Sequence, residues 1–264
     1  MRHKRSYNGI PAGEMKLFLE EKYLQYNSPS FIVSDPISIP HWYKDRQEIE
    51  ISGFLIAAIA WGRRDLILRS GRLMIELMDN TPYEFIMSAS ENEINKLSVF
   101  VHRTFNGTDF IYFIKGLRNI YAHNSSMEEV VLQGMDSGGS LKEGITRLRS
   151  IFFSLPHASR NEKHFADVSG GAAGKRLNMF LRWMVRKDNN GVDFGLWDKI
   201  TPSKLFIPLD LHSGNIARRL GLLTRKMNDW KAVEELTDVL RQFDPEDPAK
   251  YDFALFGIGV NEKL

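Results

Sequence analysis

The sequence predicts an all-α protein of about ten helices, folded as one compact body or as two lobes. Three observations predict it. Apolar residues recur with helical spacing along most of the chain. Nothing reads as an alternating strand pair, since Val99-Phe100-Val101 is too short. The composition, 43% hydrophobic and 26% charged over 264 residues, is that of a globular chain with one large or two small cores.

Met15, Leu17, Phe18 and Leu19 through Tyr23 predict a first helix, ended near Asn27-Ser28-Pro29. Residues 28–43 contain three prolines and read as an irregular wrap. Residues 48–61 form a strongly apolar helix, central to a core, that stops at Gly62. Arg63-Arg64-Asp65 opens the next helix, over 66–78. Thr81 caps and Pro82 begins a helix to 88. Helices follow at 91–97 and 108–121; Thr108 or Asp109 caps the second, and Phe110, Ile111, Phe113, Ile114 and Leu117 form its apolar face. Ser125-Ser126-Met127-Glu128-Glu129 resembles a capping box before Val130-Val131-Leu132. Residues 137–140, Ser-Gly-Gly-Ser, read as a flexible link or a helix break, and 141–154 as a basic helix. A short helix fits 160–167, a turn 189–193, and an extended segment 200–209 with Pro202 and Pro208. Residues 230–243 are amphipathic, with Val233, Leu236, Val239 and Leu240 inside and Asp229 as cap. Pro245 and Pro248 break the chain before a terminal segment at 250–260.

The chain has no cysteine, which excludes disulfides, thiolate nucleophiles and cysteine-ligated zinc or iron–sulfur clusters. The most apolar stretch, 51–61, is too short for a membrane span. Met1-Arg2-His3-Lys4-Arg5 is basic without a following apolar segment, so it reads as a solvated tail, and a cytoplasmic location is expected. From Lys142 to Lys226 sixteen Lys and Arg face seven Asp and Glu, an excess of nine that leaves −7 for the rest of a chain whose net charge is +2. A basic half of this kind suggests a surface that faces a polyanion.

Residues 169–223 carry the candidate chemistry. Ser169-Gly170-Gly171-Ala172-Ala173-Gly174 is a run of small residues that lets the backbone turn sharply and present successive amides. At a helix start those amides and the dipole suit a phosphate. With helices on both sides, the turn becomes a helix-hairpin-helix that grips one DNA phosphate without reading sequence. A plain interhelical turn explains the same residues. Lys175 follows at once, on a helix carrying Leu177, Phe180, Leu181 and Met184. An amine held against that core beside cationic Arg176 is placed to act as a nucleophile and form a Schiff base; a phosphate or solvent contact is its plainer role. Asp210 lies 35 positions later, after an extended Pro208-Leu209 approach, at the mouth of another helix. There it is an N-cap worth about 1 kcal/mol, or a carboxylate that stabilises developing positive charge or accepts a proton from an amine. His212 reads as a structural hydrogen-bonder or a substrate contact. Arg218 and Arg219 read as phosphate contacts, unless one pairs with a carboxylate.

Gly174-Lys175-Arg176-Leu177-Asn178, then Leu209-Asp210-Leu211-His212 leading into Ile216-Ala217-Arg218-Arg219, resembles the helix-hairpin-helix DNA glycosylase superfamily over about 165–221. The run 175–185, Pro208-Leu209-Asp210, and Phe243-Asp244-Pro245-Glu246-Asp247-Pro248 to Tyr251-Asp252-Phe253-Ala254-Leu255 are similar, more closely, to an uncharacterised bacterial family. That family carries a domain of unknown function distantly similar to the same glycosylases, and the similarity spans most of the chain, including 48–64. Two departures stand out: Gly-Gly-Ala-Ala-Gly replaces the usual Gly-Val-Gly, and the lysine-to-aspartate separation is longer than in many members, as it also is in archaeal oxoguanine glycosylases.

The resemblance implies one all-α glycosylase-like domain over 1–264, with two helical lobes at about 30–135 and 140–264, a cleft between them, and 1–29 packing as an N-terminal helix. It implies Lys175 as Schiff-base nucleophile and Asp210 as catalytic carboxylate. Gly170, Gly171, Gly174, Arg176, His212, Arg218 and Arg219 are then the nucleic-acid contacts. A flipped base needs a stacking pocket; Trp61, Trp183, Phe253 and Phe256 are candidates, each with core packing as its plainer role. Arg63 and Arg64 flank that pocket or reach into the duplex. The expected activity is excision of an oxidised purine such as 8-oxoguanine, followed by β-elimination at the abasic site. It acts on damaged or abasic double-stranded DNA, with no metal, cofactor or membrane required. Two other readings fit the same residues: a non-catalytic DNA- or RNA-binding module, and an interaction protein whose basic half faces an acidic partner.

Overall fold

The computed structural model describes residues 6–136 and 138–262; the basic tail and Ser137 of the expected link lie outside these. The described chain is all-α, with helices α1 (Ala12–Tyr26), α2 (Pro29–Ser34), α3 (Arg46–Ile59), α4 (Arg64–Glu76), α5 (Pro82–Ser88), α6 (Glu91–Lys96), α7 (Gly107–Tyr121), α8 (Met127–Met135), α9 (Leu141–Phe152), α10 (Ser159–Glu162), α11 (Lys175–Val185), α12 (Leu211–Arg219), α13 (Trp230–Phe243) and α14 (Tyr251–Asn261). Strands amount to two antiparallel pairs, β1 (Ser6–Tyr7) with β2 (Ile10–Pro11) and β3 (Val101–His102) with β4 (Phe105–Asn106). No helix of the described residues is long and apolar enough to cross a membrane. The chain divides into two compact units, residues 32–169 and residues 1–31 with 170–264.

In the 32–169 unit α3 is the central helix. Ile51, Leu55, Ile56 and Ile59 are wholly buried, because this helix is apolar on every side. Phe54 meets Phe113 (6.0 Å between centroids), Phe152 (5.7 Å) and Phe165 (5.5 Å). Replacing such a ring by alanine costs about 3–5 kcal/mol. Sequence and structure agree on most helices here and differ in instructive places. The cap of α7 is Asn106, whose side chain accepts from Asp109 N (3.4 Å), while the Asp109 carboxylate accepts from Asn106 N (3.0 Å). The wrap at 28–43 contains α2 and two single turns of 3-10 helix, Pro36–Ser38 and Pro40–Trp42. Residues 141–169, placed with the second lobe from sequence, belong to the first unit: α9 pairs with α8, and a Cβ on Gly144 would stand 2.7 Å from Val131.

In the other unit α14 is the axis. Tyr251, Phe253, Ala254, Leu255 and Ile258 are buried, with α1 and α12 packed on α14. Gly257 permits the α1 crossing, since a Cβ there would lie 2.2 Å from the Tyr26 ring. Asp229 caps α13 by accepting from Ala232 N (3.1 Å), as the sequence predicts. The Thr237 hydroxyl accepts from Ile207 N (3.1 Å), which fixes the extended segment before α12 along α13.

Candidate functional site

The turn before α11 is held by glycine. Gly171 and Gly174 take φ of +94° and +60°, a region that costs any residue with a Cβ. Ala172 pairs with Asp229, and Trp230 N donates to Gly171 O (2.9 Å), so the turn is fastened to the head of α13. The helix expected over 160–167 is limited to Ser159–Glu162, in the other unit. Its side chains have other partners: Asn161 Nδ2 donates to Asp109 Oδ1 (2.9 Å) and Arg160 Nη2 to Asp109 Oδ2 (2.9 Å), while Phe165 enters that unit's core. Twelve non-helical residues, 163–174, therefore separate α10 from α11.

Lys175 is the first residue of α11 and is half-buried. Its Nζ lies 3.8 Å from the Met179 sulfur, a weak acceptor, and among the described residues no carboxylate pairs with it. Positions 175, 179, 182 and 186 share one face of α11. Arg182 is buried: Nε lies 3.3 Å from Asp193 Oδ1, Nη1 donates to Asp252 Oδ2, and the guanidinium sits 4.1 Å from the Phe253 ring centre. Arg186 donates to Asp193 Oδ2 (3.1 Å), Asp247 Oδ2 (2.8 Å), Asp188 and the Tyr23 hydroxyl.

Asp210 is the N-cap of α12. Its Oδ1 accepts from Ser213 N (2.9 Å) and Ser213 Oγ (3.1 Å), and Asp210 N donates back to Ser213 Oγ (3.0 Å). Among the described residues Oδ2 takes no hydrogen bond, so the cap leaves one carboxylate oxygen available. Asn228 Nδ2 donates to Asp210 O (3.0 Å), and Arg218 Nη2 holds Asn228 Oδ1 (2.6 Å).

Asp252, near the start of α14, connects the two. Burial pushes its carboxyl up to about 7 against the pull of Arg182; Asp210 raises it further and Lys175 lowers it. Lys175 and Asp210 thus both lie within electrostatic reach of one buried carboxyl. Sequence reasoning passed over Asp252 and Arg182. Two signals for them exist: a lone aspartate inside apolar Tyr251-Phe253-Ala254-Leu255 needs a partner, and 175, 182 and 186 recur at helical spacing.

The remaining sequence candidates fall in different settings. Burial pushes the Arg176 guanidinium down to about 10, which leaves it charged at neutral pH. Arg219 and His212 are exposed, and the His212 ring lies 6.4 Å from that of Phe256. Arg218 braces the 225–228 loop, since its Nε also donates to Arg225 O (2.8 Å). Trp183 and Phe253 are core residues with no face open to a base, because Arg182 and Phe31 already cover the Phe253 ring and Trp183 is wholly buried. Trp61 and Arg63 lie in the other unit, Trp61 half-buried and stacked on His164 (5.7 Å). No cluster of three potential metal ligands occurs among the described residues. A family model described as "Protein of unknown function (DUF2400)" matches residues 35–261. No curated protein and no solved structure matches the chain.

Proposed function

The chain belongs to the DUF2400 family, and for this member we propose a DNA glycosylase with lyase activity on oxidised purines, of the helix-hairpin-helix type. The observation that carries the reading is a half-buried lysine without a carboxylate partner, set with a half-committed aspartate around one buried carboxyl. The Lys175 amine attacks the sugar C1′; the N–C1′ bond forms as the bond to the base breaks, and the base leaves with the proton that the amine gives up through Asp210. The free oxygen of Asp210 stabilises the positive charge that develops on the sugar and accepts a proton from the attacking amine. The sugar ring then opens to an iminium on Lys175. Loss of a C2′ proton expels the 3′ phosphate and nicks the strand.

Borohydride reduction of the iminium tests this directly. With a duplex containing 8-oxoguanine or an abasic site, the wild-type protein forms a covalent adduct. Lys175→Ala forms none, and Asp210→Asn forms it about 100-fold more slowly or worse. Duplex binding without an adduct on any lesion leaves a non-catalytic binding module. An adduct that survives Lys175→Ala assigns the nucleophile elsewhere.

A further inference from the structure

A second cationic surface lies in the 32–169 unit, outside the basic stretch of the sequence. Residues 61–75 contain Arg63, Arg64, Arg69 and Arg72 against one acidic residue, Asp65. Arg69 and Arg72 are exposed on α4 and, among the described residues, have no hydrogen-bond or carboxylate partner. The β3–β4 hairpin delivers another: Arg103 is exposed, equally unpartnered, and sits in the two-residue turn.

Three contacts bring these arginines together. The His102 ring Nδ1 lies 2.9 Å from Ser70 Oγ, fastening the hairpin beside Arg69. Arg103 lies over Gly62, where a Cβ would stand 2.5 Å from its Nη1, so glycine at 62 makes room for the guanidinium next to Arg63. Arg160 Nη2 donates to Thr104 O (3.2 Å), which adds a sixth guanidinium at the tip. Carboxylates within this group are few: Asp65 holds Arg63 (2.7 Å) and Asp109 holds Arg160 (2.9 Å).

Arg103 is the informative residue. Its φ is +56°, the left-handed region where a tight hairpin turn favours asparagine or glycine. Turn formation alone does not select arginine there. A guanidinium held out at a hairpin tip, beside two unpaired guanidinia on an adjacent helix, is the arrangement that takes two oxygens of a phosphate bidentately. From Arg69 to Arg72 the helix rises about 4.5 Å, and a DNA strand offers a phosphate every ~3.4 Å of duplex axis, so the two positions are spaced for neighbouring phosphates.

We propose that Arg69, Arg72 and Arg103, with Arg63 beside them, form a phosphate-backbone contact surface for double-stranded nucleic acid on the 32–169 unit, apart from the turn at Gly170–Gly174. The proposal rests on nucleic acid as partner, as in the proposed function, and is independent of the lysine chemistry.

The test is a salt titration of the full-length protein binding a fluorescein-labelled undamaged duplex, read by anisotropy. Each lost phosphate contact lowers the slope of log K against log salt by about 0.9. The Arg69→Ala/Arg72→Ala/Arg103→Ala triple variant is expected to lose two to three contacts by this measure. Arg103→Gly alone is expected to lose about one, while its melting temperature holds or rises because glycine suits the left-handed turn. An unchanged slope and affinity in both variants overturns the proposal. So does wild-type binding to polyglutamate but not to duplex, an outcome that assigns the surface to an acidic protein. A wild-type protein that shows the expected slope but no adduct refutes the lyase reading and leaves this surface standing.

Discussion

A carboxylate inside an apolar helix has to find a cation or a proton, and Asp252 is poised between the two. Arg182 supplies the cation; burial and Asp210 favour the proton, and the carboxyl titrates at about 7. In the unfolded chain it titrates near the ordinary ~3.9. The folded state therefore binds more protons between these values. Its stability is greatest at the acid end of that window and falls as pH rises through 7. Asp252→Asn flattens this part of the profile, as urea melts from about pH 4 to 8 would show; a slope equal to wild type contradicts the assignment. At this scale the sequence exposes only part of the candidate site. Lys175 and Asp210 are legible because each stands beside helix punctuation, Gly174 for one and Pro208 for the other. The Arg182–Asp252 pair is not, because its members are 70 positions apart and only the packing of α14 on its neighbours joins them.

At the scale of elements, caps and turns decide where helices begin. Asn106→Ala removes the acceptor for Asp109 N and should lower the unfolding free energy by about 1 kcal/mol, measured by denaturant melts, whereas Asn106→Asp should be tolerated. Gly174→Ala places a Cβ at φ +60° and should cost about 1 kcal/mol or more. A full-length Gly174→Ala melt matching wild type contradicts the turn described for α11. The helices of strong apolar period, α7 and α13, are legible from spacing alone, and α3 from its unbroken apolar run. The short elements are not. The β3–β4 hairpin contains only two residues per strand, too few for a period, and its turn carries Arg103 in place of the expected asparagine or glycine. The segment at 160–167 has helical composition, yet the helix covers only Ser159–Glu162, with Arg160 and Asn161 bonded to Asp109 of α7.

For the whole molecule, the charge asymmetry of the sequence proves to be partly internal. Arg182 and Arg186 count toward the basic excess of 142–226, but both are buried and bonded to Asp247 and Asp252, which lie outside that stretch. The sequence sum thus overstates the cationic surface there and understates it on α4, where Arg69 and Arg72 are unpaired among the described residues. The 32–169 unit is continuous and has its own aromatic core. Expressed alone, it is expected to be helical by circular dichroism and to unfold cooperatively; a non-cooperative melt contradicts that independence. The central claim is that Lys175 is a Schiff-base nucleophile. The most direct measurement is mass spectrometry of the borohydride-reduced adduct with an abasic duplex, after proteolysis. The account predicts one modified peptide, carrying the reduced sugar remnant on Lys175. The absence of any adduct, or a remnant on a different lysine, contradicts it.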